Sequence, residues 1–193
     1  MVFRRLLGGS PAPSGPSTPA QASPAAETAT VRRIVAELEA LPPERAQWLA
    51  GFAYVLGRAA HADLVTTDEE LRLMERIVMD HGGLPEAQAI LVVEIARQQA
   101  RLVGGTEDYL VTREWVRTAS EEDRLALLRC CFLVGAVDSI SAEESAVLNE
   151  IAKELQFDPP VVARIRGEFT DEYAVVQAMR AAAAGSAEEP PAG

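Results

Sequence analysis

Lysine is almost missing from this sequence, because Lys153 is the single lysine among 18 basic residues. Acidic residues number 29, which gives a formal net charge of −11. A phosphate-binding loop of the form G-x-x-x-x-G-K is excluded, since no glycines precede Lys153 at that spacing. Nucleic-acid backbones are bound through clustered Lys and Arg side chains, so we expect no nucleic-acid partner. An acidic chain is better suited to cations or basic proteins.

Cysteine and histidine are equally scarce. Cys130 and Cys131 are the two cysteines, and they are adjacent in a predicted helix, where their side chains point in different directions and cannot bridge. We interpret them as small core residues in a reducing compartment. The two histidines, His61 and His81, fit neither an H-E-x-x-H nor a Glu-x-x-His spacing, which argues against a zinc or di-iron enzyme.

Long apolar runs are also absent. The longest, from Cys130 to Val137, has eight residues, whereas a membrane-spanning helix needs about 18 or more. Arg4 and Arg5 lie near the amino terminus, but no hydrophobic region follows them, so a secretory signal is not expected. Residues 2–7 are either an unstructured start or a weak amphipathic foot for a membrane surface or a partner. We predict a cytoplasmic protein without a transmembrane segment.

Composition divides the chain into three parts. Residues 1–29 are rich in Pro, Ser, Ala and Gly without an apolar period, and we predict a disordered tail there. Residues 30–184 carry apolar residues at helical spacing and are predicted to form one domain. Residues 185–193 are polar and are predicted to be a second disordered tail.

Helical periodicity runs through the predicted domain, and no segment alternates as a strand would. We therefore predict an all-α bundle of about eight helices, the first of them capped by Thr30. Thr66 with Glu69, and Ser141 with Glu144, have the spacing of capping boxes that open two later helices. The residues predicted to form the core are Phe52, Leu56, Met74, Ile77, Leu127, Val134, Leu148 and Ile151.

The sequence also contains an internal repeat at an offset of 75 residues. In each copy an apolar helix runs into a short acidic loop, here called a corner, and a second helix follows at once. Two copies at so long a period indicate an internally duplicated domain, not a solenoid. The matched pairs are Asp63 with Asp138, Val65 with Ile140, Thr66 with Ser141, and Glu69 with Glu144.

These two corners resemble the TerB-like family, which includes the tellurite-resistance TerB proteins and the N-terminal domains of membrane-tethered J-domain co-chaperones. The resemblance covers roughly residues 45–168. It implies an all-helical, internally duplicated fold and a role in bacterial stress response at the inner membrane. The implied function is a non-enzymatic binding module with a protein partner, which could belong to a membrane-associated complex, so the protein could be peripheral to that membrane.

The resemblance further implies a divalent cation, Ca²⁺ or Mg²⁺, held by the corner acids Asp63, Glu69, Asp138 and Glu144. Carboxylate oxygens are the ligands that these ions prefer. Glu69 and Glu144 have a second interpretation, because helix capping and the helix dipole alone would place acids there. The family usually has a glycine after the corner Asp, whereas this chain has Leu64 and Ser139 and each loop is one residue shorter.

A metal-dependent hydrolase that uses the paired carboxylates is the alternative function. The sequence offers no nucleophile elbow and no glycine-rich strand-to-helix turn for a nucleotide. This favours the binding module over the enzyme. Metal-dependent turnover of a phosphate ester would favour the hydrolase, and cation binding without turnover would favour the module.

Overall fold

The computed structural model describes residues 24–60, 68–100, 107–137 and 139–179. Within these ranges the fold is all-helical, as predicted, and its only sheet-like contact is an isolated bridge between Ile140 and Tyr173. None of the helices found there combines the length and the apolar character that crossing a bilayer requires. The helices are α1 (Pro24–Glu39), α2 (Pro43–Ala59), α3 (Asp68–Gly82), α4 (Glu86–Ala100), α5 (Glu107–Val116), α6 (Glu121–Gly135), α7 (Ala142–Glu154) and α8 (Pro159–Glu168). They are followed by a 3₁₀ turn (Thr170–Glu172) and by helical residues 174–179.

Helix α1 begins earlier than predicted. It starts at Pro24, so Thr30 lies inside the helix and does not cap it. Proline is accepted in the first turn of a helix, and the alanines that follow it favour helix strongly. The predicted end of the first tail at residue 29 therefore falls within α1. Residues 1–23 and 180–193 lie outside the described ranges, so the two disordered tails stay predictions.

Helix α2 occupies the centre of the bundle. It packs most extensively against α4 and also contacts α1, α5, α6 and α7. Leu49, Phe52, Val55 and Leu56 are fully buried, which is what a helix surrounded by other helices requires. All eight predicted core residues are buried, so the helix faces derived from periodicity are confirmed.

The close approach of α5 to α2 depends on a glycine. A Cβ atom added to Gly51 would lie 2.4 Å from Cδ1 of Trp115. Trp115 also donates a hydrogen bond from Nε1 to the carbonyl oxygen of Trp48 at 2.9 Å, and it packs edge-on against Phe52. The absence of a side chain at position 51 thus lets α5 place a tryptophan directly on the α2 backbone.

A buried ion pair connects α2, α5 and α7. The Arg58 guanidinium donates to both carboxylate oxygens of Glu154, at 2.5 and 3.2 Å, and to Thr112 Oγ1 at 3.0 Å. The side chains of Arg58 and Glu154 are only 10% and 7% exposed. Geometry of this kind, with two parallel hydrogen bonds, fixes the register of the joined helices.

The helices only partly follow the 75-residue offset. α7 begins at Ala142 and α3 at Asp68, so their starts differ by 142 − 68 = 74 residues, and α2 and α6 overlap when shifted by 75. Their packing differs, because α2 lies closely along α4, whereas α6 approaches α8 much less. The internal duplication therefore stays a prediction.

Candidate functional site

The second corner joins α6 to α7 and is shaped by a capping box. Ser141 Oγ accepts a hydrogen bond from the backbone N–H of Glu144 at 3.1 Å. The Glu144 carboxylate in turn accepts one from the backbone N–H of Ser141 at 2.7 Å. The predicted capping box is confirmed. One oxygen of Glu144 is therefore already engaged by the backbone, and this half-buried side chain has a structural role.

The same corner is tied to the carboxyl-terminal part of the described chain. The backbone N–H of Ile140 donates to the Glu172 carbonyl at 2.7 Å, and the N–H of Ala174 donates to the Ile140 carbonyl at 3.0 Å. Ile140 is only 1% exposed. Sequence analysis did not find this contact. Its local signal is a single apolar residue between two serines, which does not say where the residue is anchored.

The first corner joins α2 to α3, and residues 61–67 lie outside the described ranges. Asp63 and the predicted capping box between Thr66 and Glu69 therefore cannot be placed, and they stay predictions. Glu69 itself is exposed in the first turn of α3, beside Asp68 and Glu70. Acidic side chains in a first turn are stabilised by the positive end of the helix dipole.

The acids that the structure places do not form a cation site by themselves. Asp138, like Asp63, lies outside the described ranges. Among the residues that can be described, no three of His, Cys, Asp and Glu come together in a group that could hold a metal ion. Glu69 is exposed, and Glu144 is engaged in its cap. The predicted site thus depends on Asp63 and Asp138, which precede the two predicted capping boxes in the sequence.

Both cysteines are buried and free. Cys130 donates a weak hydrogen bond from Sγ to the Ile77 carbonyl at 3.7 Å. Burial raises the pKa of the Cys130 thiol to about 12, and it raises the pKa of Cys131 as well. At neutral pH both are thiols, and a thiol is a poor nucleophile and a poor metal ligand. The interpretation of the pair as core residues is confirmed.

A groove between α2 and α5 is a feature that sequence analysis missed. It has a volume of about 320 Å³, and Gly51 lies on its floor beside Tyr54, Val111 and Trp115. Glu114 supplies a carboxylate to its lining. Neighbouring Tyr109 and Leu110, on α5, are 52% and 50% exposed. In the sequence, Gly51 appears only as a glycine within an apolar helix, and Trp115 lies far along the chain from it. Nothing in the sequence links the two residues.

Comparison with known families assigns the chain to one of them. The profile of the family described as tellurite resistance protein TerB matches residues 50–167, more than half of the chain. No protein of curated function and no solved structure matched. The matched range agrees with the resemblance predicted over roughly residues 45–168, and it contains both corners and all of the α2–α5 groove lining except Gln47. This chain therefore belongs to the TerB family of tellurite resistance proteins.

Proposed function

We propose that this protein is a non-enzymatic binding module related to tellurite resistance and stress response, which docks on a protein partner through the groove between α2 and α5. Membership of the TerB family supports the tellurite-related role. The proposal includes a cytoplasmic location and a partner that belongs to a complex at the inner membrane. The groove is the observation that carries it.

The groove has the features of a site for an apolar anchor. Its wall is made of the Trp115 indole, the Tyr54 ring and the Val111 side chain, which supply apolar surface with a polar rim. Leu110, one helical turn before the lining residue Glu114, is a half-exposed apolar side chain beside this surface. Aromatic side chains of this kind are enriched in the buried centres of protein interfaces.

Charge indicates what kind of segment would dock there. Glu114 lines the groove, and Glu44 and Arg45 both line an adjoining hollow of about 450 Å³ that shares Gln47 and Thr118 with it. The whole chain carries a net charge of −11. A partner segment with one large apolar side chain and basic neighbours would complement both the wall and the rim.

Site-specific photocrosslinking tests the docking surface in the full chain. A photoreactive amino acid replaces the exposed Leu110, one helical turn before the lining residue Glu114, or, as a control, the exposed Val175. We expect one discrete adduct from position 110, which mass spectrometry identifies and which binding of the purified partner then confirms. Ala50 lines the groove, so Ala50→Phe should fill it and remove the adduct.

The matched control for groove filling is Ala146→Phe, the same change on the exposed side of α7. This variant should leave the adduct unchanged. Docking at the groove is contradicted if the adduct survives Ala50→Phe, or if position 175 gives the same adduct with equal yield.

The proposal also includes the binding of a divalent cation at the two corners. The four corner acids Asp63, Glu69, Asp138 and Glu144 would supply hard oxygen ligands for Ca²⁺ or Mg²⁺. Asp63 and Asp138 would supply the direct ligands, since the described role of Glu144 is to cap α7. The bound ion would act on folding stability and on the shape of the corners, with no step of chemistry assigned to it.

A turnover assay separates the module from the hydrolase. The purified chain is incubated with a chromogenic phosphate ester and millimolar Ca²⁺, Mg²⁺ or Mn²⁺. We expect no turnover above that of Asp63→Asn/Asp138→Asn. Turnover that needs the metal and is lost in that double variant would replace the proposed module with an enzyme.

A further inference from the structure

A second cleft lies between α7 and α8, on a part of the molecule that neither the corners nor the α2–α5 groove uses. Its volume is about 560 Å³. It forms where the chain turns between the two helices, with Gln156 in the left-handed region at a φ of 62°. Small-molecule sites in proteins are clefts of roughly this size, lined mostly by apolar side chains with a few polar groups.

Two cations and an amide face this cleft. Asn149 and Lys153 are four residues apart on α7 and so share one face of the helix, and Arg166 faces them from α8. The Arg166 guanidinium donates to the Asn149 side-chain oxygen. Among the described residues, none that lines the cleft carries a carboxylate. The chain's single lysine is thus placed beside an arginine, in a protein whose net charge is −11.

Neither cation is neutralised within the part of the chain that the structure describes. Arg33, Arg58, Arg117 and Arg129 each form an ion pair with a glutamate, but Lys153 and Arg166 do not. The Nε of Arg166 is also buried and lacks a hydrogen-bond acceptor. Two cations without a carboxylate partner leave positive charge at the cleft that an anionic oxygen of a ligand would neutralise through charge-assisted hydrogen bonds.

The remaining lining is apolar. Phe157, Pro159, Val162 and Ala163 supply an apolar wall beside the charged groups. Phe157 is held in place by Arg124, whose guanidinium lies 5.6 Å from the ring centroid and donates to the Leu155 carbonyl at 2.9 Å. The wall is therefore supported before any ligand arrives, which lowers the entropic cost of binding.

We propose that this cleft binds a small amphipathic anion. Its carboxylate or phosphate group lies between Lys153 and Arg166 and accepts hydrogen bonds from both. Its hydrocarbon or aromatic part packs on Phe157 and Val162. The inference is independent of the α2–α5 groove, because the two sites share no lining residue.

Calorimetric titration of the full chain tests the site with defined probes. Octanoate and octyl phosphate carry both features, octanol lacks the charge and acetate lacks the chain. We expect saturable one-to-one binding of octanoate, octyl phosphate or both, with the tighter of the two identifying the anionic group. Octanol and acetate should bind at least tenfold more weakly, because each loses one half of the interaction.

Variants then locate the binding. Lys153→Gln and Arg166→Gln should each weaken it by about tenfold, the effect of losing one charge-assisted hydrogen bond. Arg117→Gln is the matched control, since it removes the same charge from an exposed arginine elsewhere. Lys153 is exposed, so its variant should fold normally, and thermal melting checks this.

The single lysine gives a second readout that does not depend on variants. An amine-reactive acetylating reagent modifies the side chain of Lys153 alone, with the α-amino group as internal reference. Bound octanoate or octyl phosphate should slow modification of Lys153 and leave the reference unchanged. The proposal is overturned if neither probe binds, if octanol binds as tightly, if Arg117→Gln weakens binding equally, or if Lys153 is not protected.

Discussion

Gly51 and Gly167 show how the same residue type has opposite consequences at two helical positions. The space above Gly51 is taken by the Trp115 ring, whereas nothing lies within 4 Å of a Cβ atom added to Gly167. A helical glycine is less favourable than alanine by about 0.5–1 kcal/mol, so only contact with a neighbour can make its replacement destabilising. The identity of residue 51 is therefore set by α5, not by its own helix.

We expect Gly51→Ala to destabilise the fold by about 1–3 kcal/mol, because overpacking against Trp115 outweighs the gain in helix propensity. Gly167→Ala should stabilise it by up to about 1 kcal/mol. Urea unfolding of both variants measures the difference. Equal effects at the two positions would show that the contact between α2 and α5 is wrong.

Replacement of the single residue Leu148 tests which face of α7 is buried in the core. It is 1% exposed and lies on the face of α7 that periodicity predicts to be buried. Leu148→Ala should lower the free energy of unfolding by about 2–5 kcal/mol. Val175→Ala, at a residue that is 64% exposed, is the control and should change it by less than about 0.5 kcal/mol. A loss of similar size in both variants would contradict the assigned face.

Elements are held in register by the Arg58–Glu154 pair, which joins α2 to α7 and reaches Thr112 on α5. Removing one member of a buried ion pair leaves the other as an unpaired charge in a poorly solvated place. The second corner has its own clamp, the backbone pairing of Ile140 with residues 172–174. Both contacts join segments that are far apart in the chain, so they determine how the helices are arranged.

Glu154→Gln should cost about 3–5 kcal/mol, because it removes the carboxylate charge that accepts two hydrogen bonds from the buried Arg58 guanidinium. Glu143→Gln, at an exposed position in the first turn of α7, is the control and should cost less than about 1 kcal/mol. Thermal and urea unfolding measure both. The paired replacement Arg58→Met/Glu154→Leu should recover much of the loss, since it removes both charges together. If Glu154→Gln proves no more harmful than Glu143→Gln, the pair does not secure the helices.

At the scale of the whole molecule, cation binding would be coupled to folding. An ion that binds the folded chain and not the unfolded chain stabilises the fold by about 2.7 kcal/mol at a hundredfold excess over its dissociation constant. For a chain of this size that is a rise in Tm of several degrees. Thermal melts in EDTA and in Ca²⁺, Mg²⁺ or Mn²⁺ measure it, and Asp63→Asn/Asp138→Asn should lose most of the rise while keeping the fold. If the natural chain has the same Tm with and without cation, the corner acids bind no cation and act only as helix caps.

Some features followed from the sequence by itself because they depend on neighbouring residues. The all-helical class and the eight core residues follow from apolar spacing, which each helix repeats every few residues. The capping box at Ser141 and Glu144 follows from two side chains three residues apart. The start of α1 was misplaced, since Thr30 has the chemistry of a cap but the alanines before it also favour helix.

Other features were decided only by the tertiary structure. Four features bring together residues from different helices or distant segments. They are the Arg58–Glu154 pair, the backbone pairing of Ile140, the α2–α5 groove and the cleft between α7 and α8. Periodicity tells which face of a helix is buried, but it does not tell which other helix covers that face or at what distance. Arg58 and Lys153 look alike in the sequence as single basic residues on amphipathic helices. Packing buries Arg58 against a carboxylate and leaves Lys153 beside another cation at an open cleft, and this difference in surroundings gives one a structural role and the other a proposed binding role.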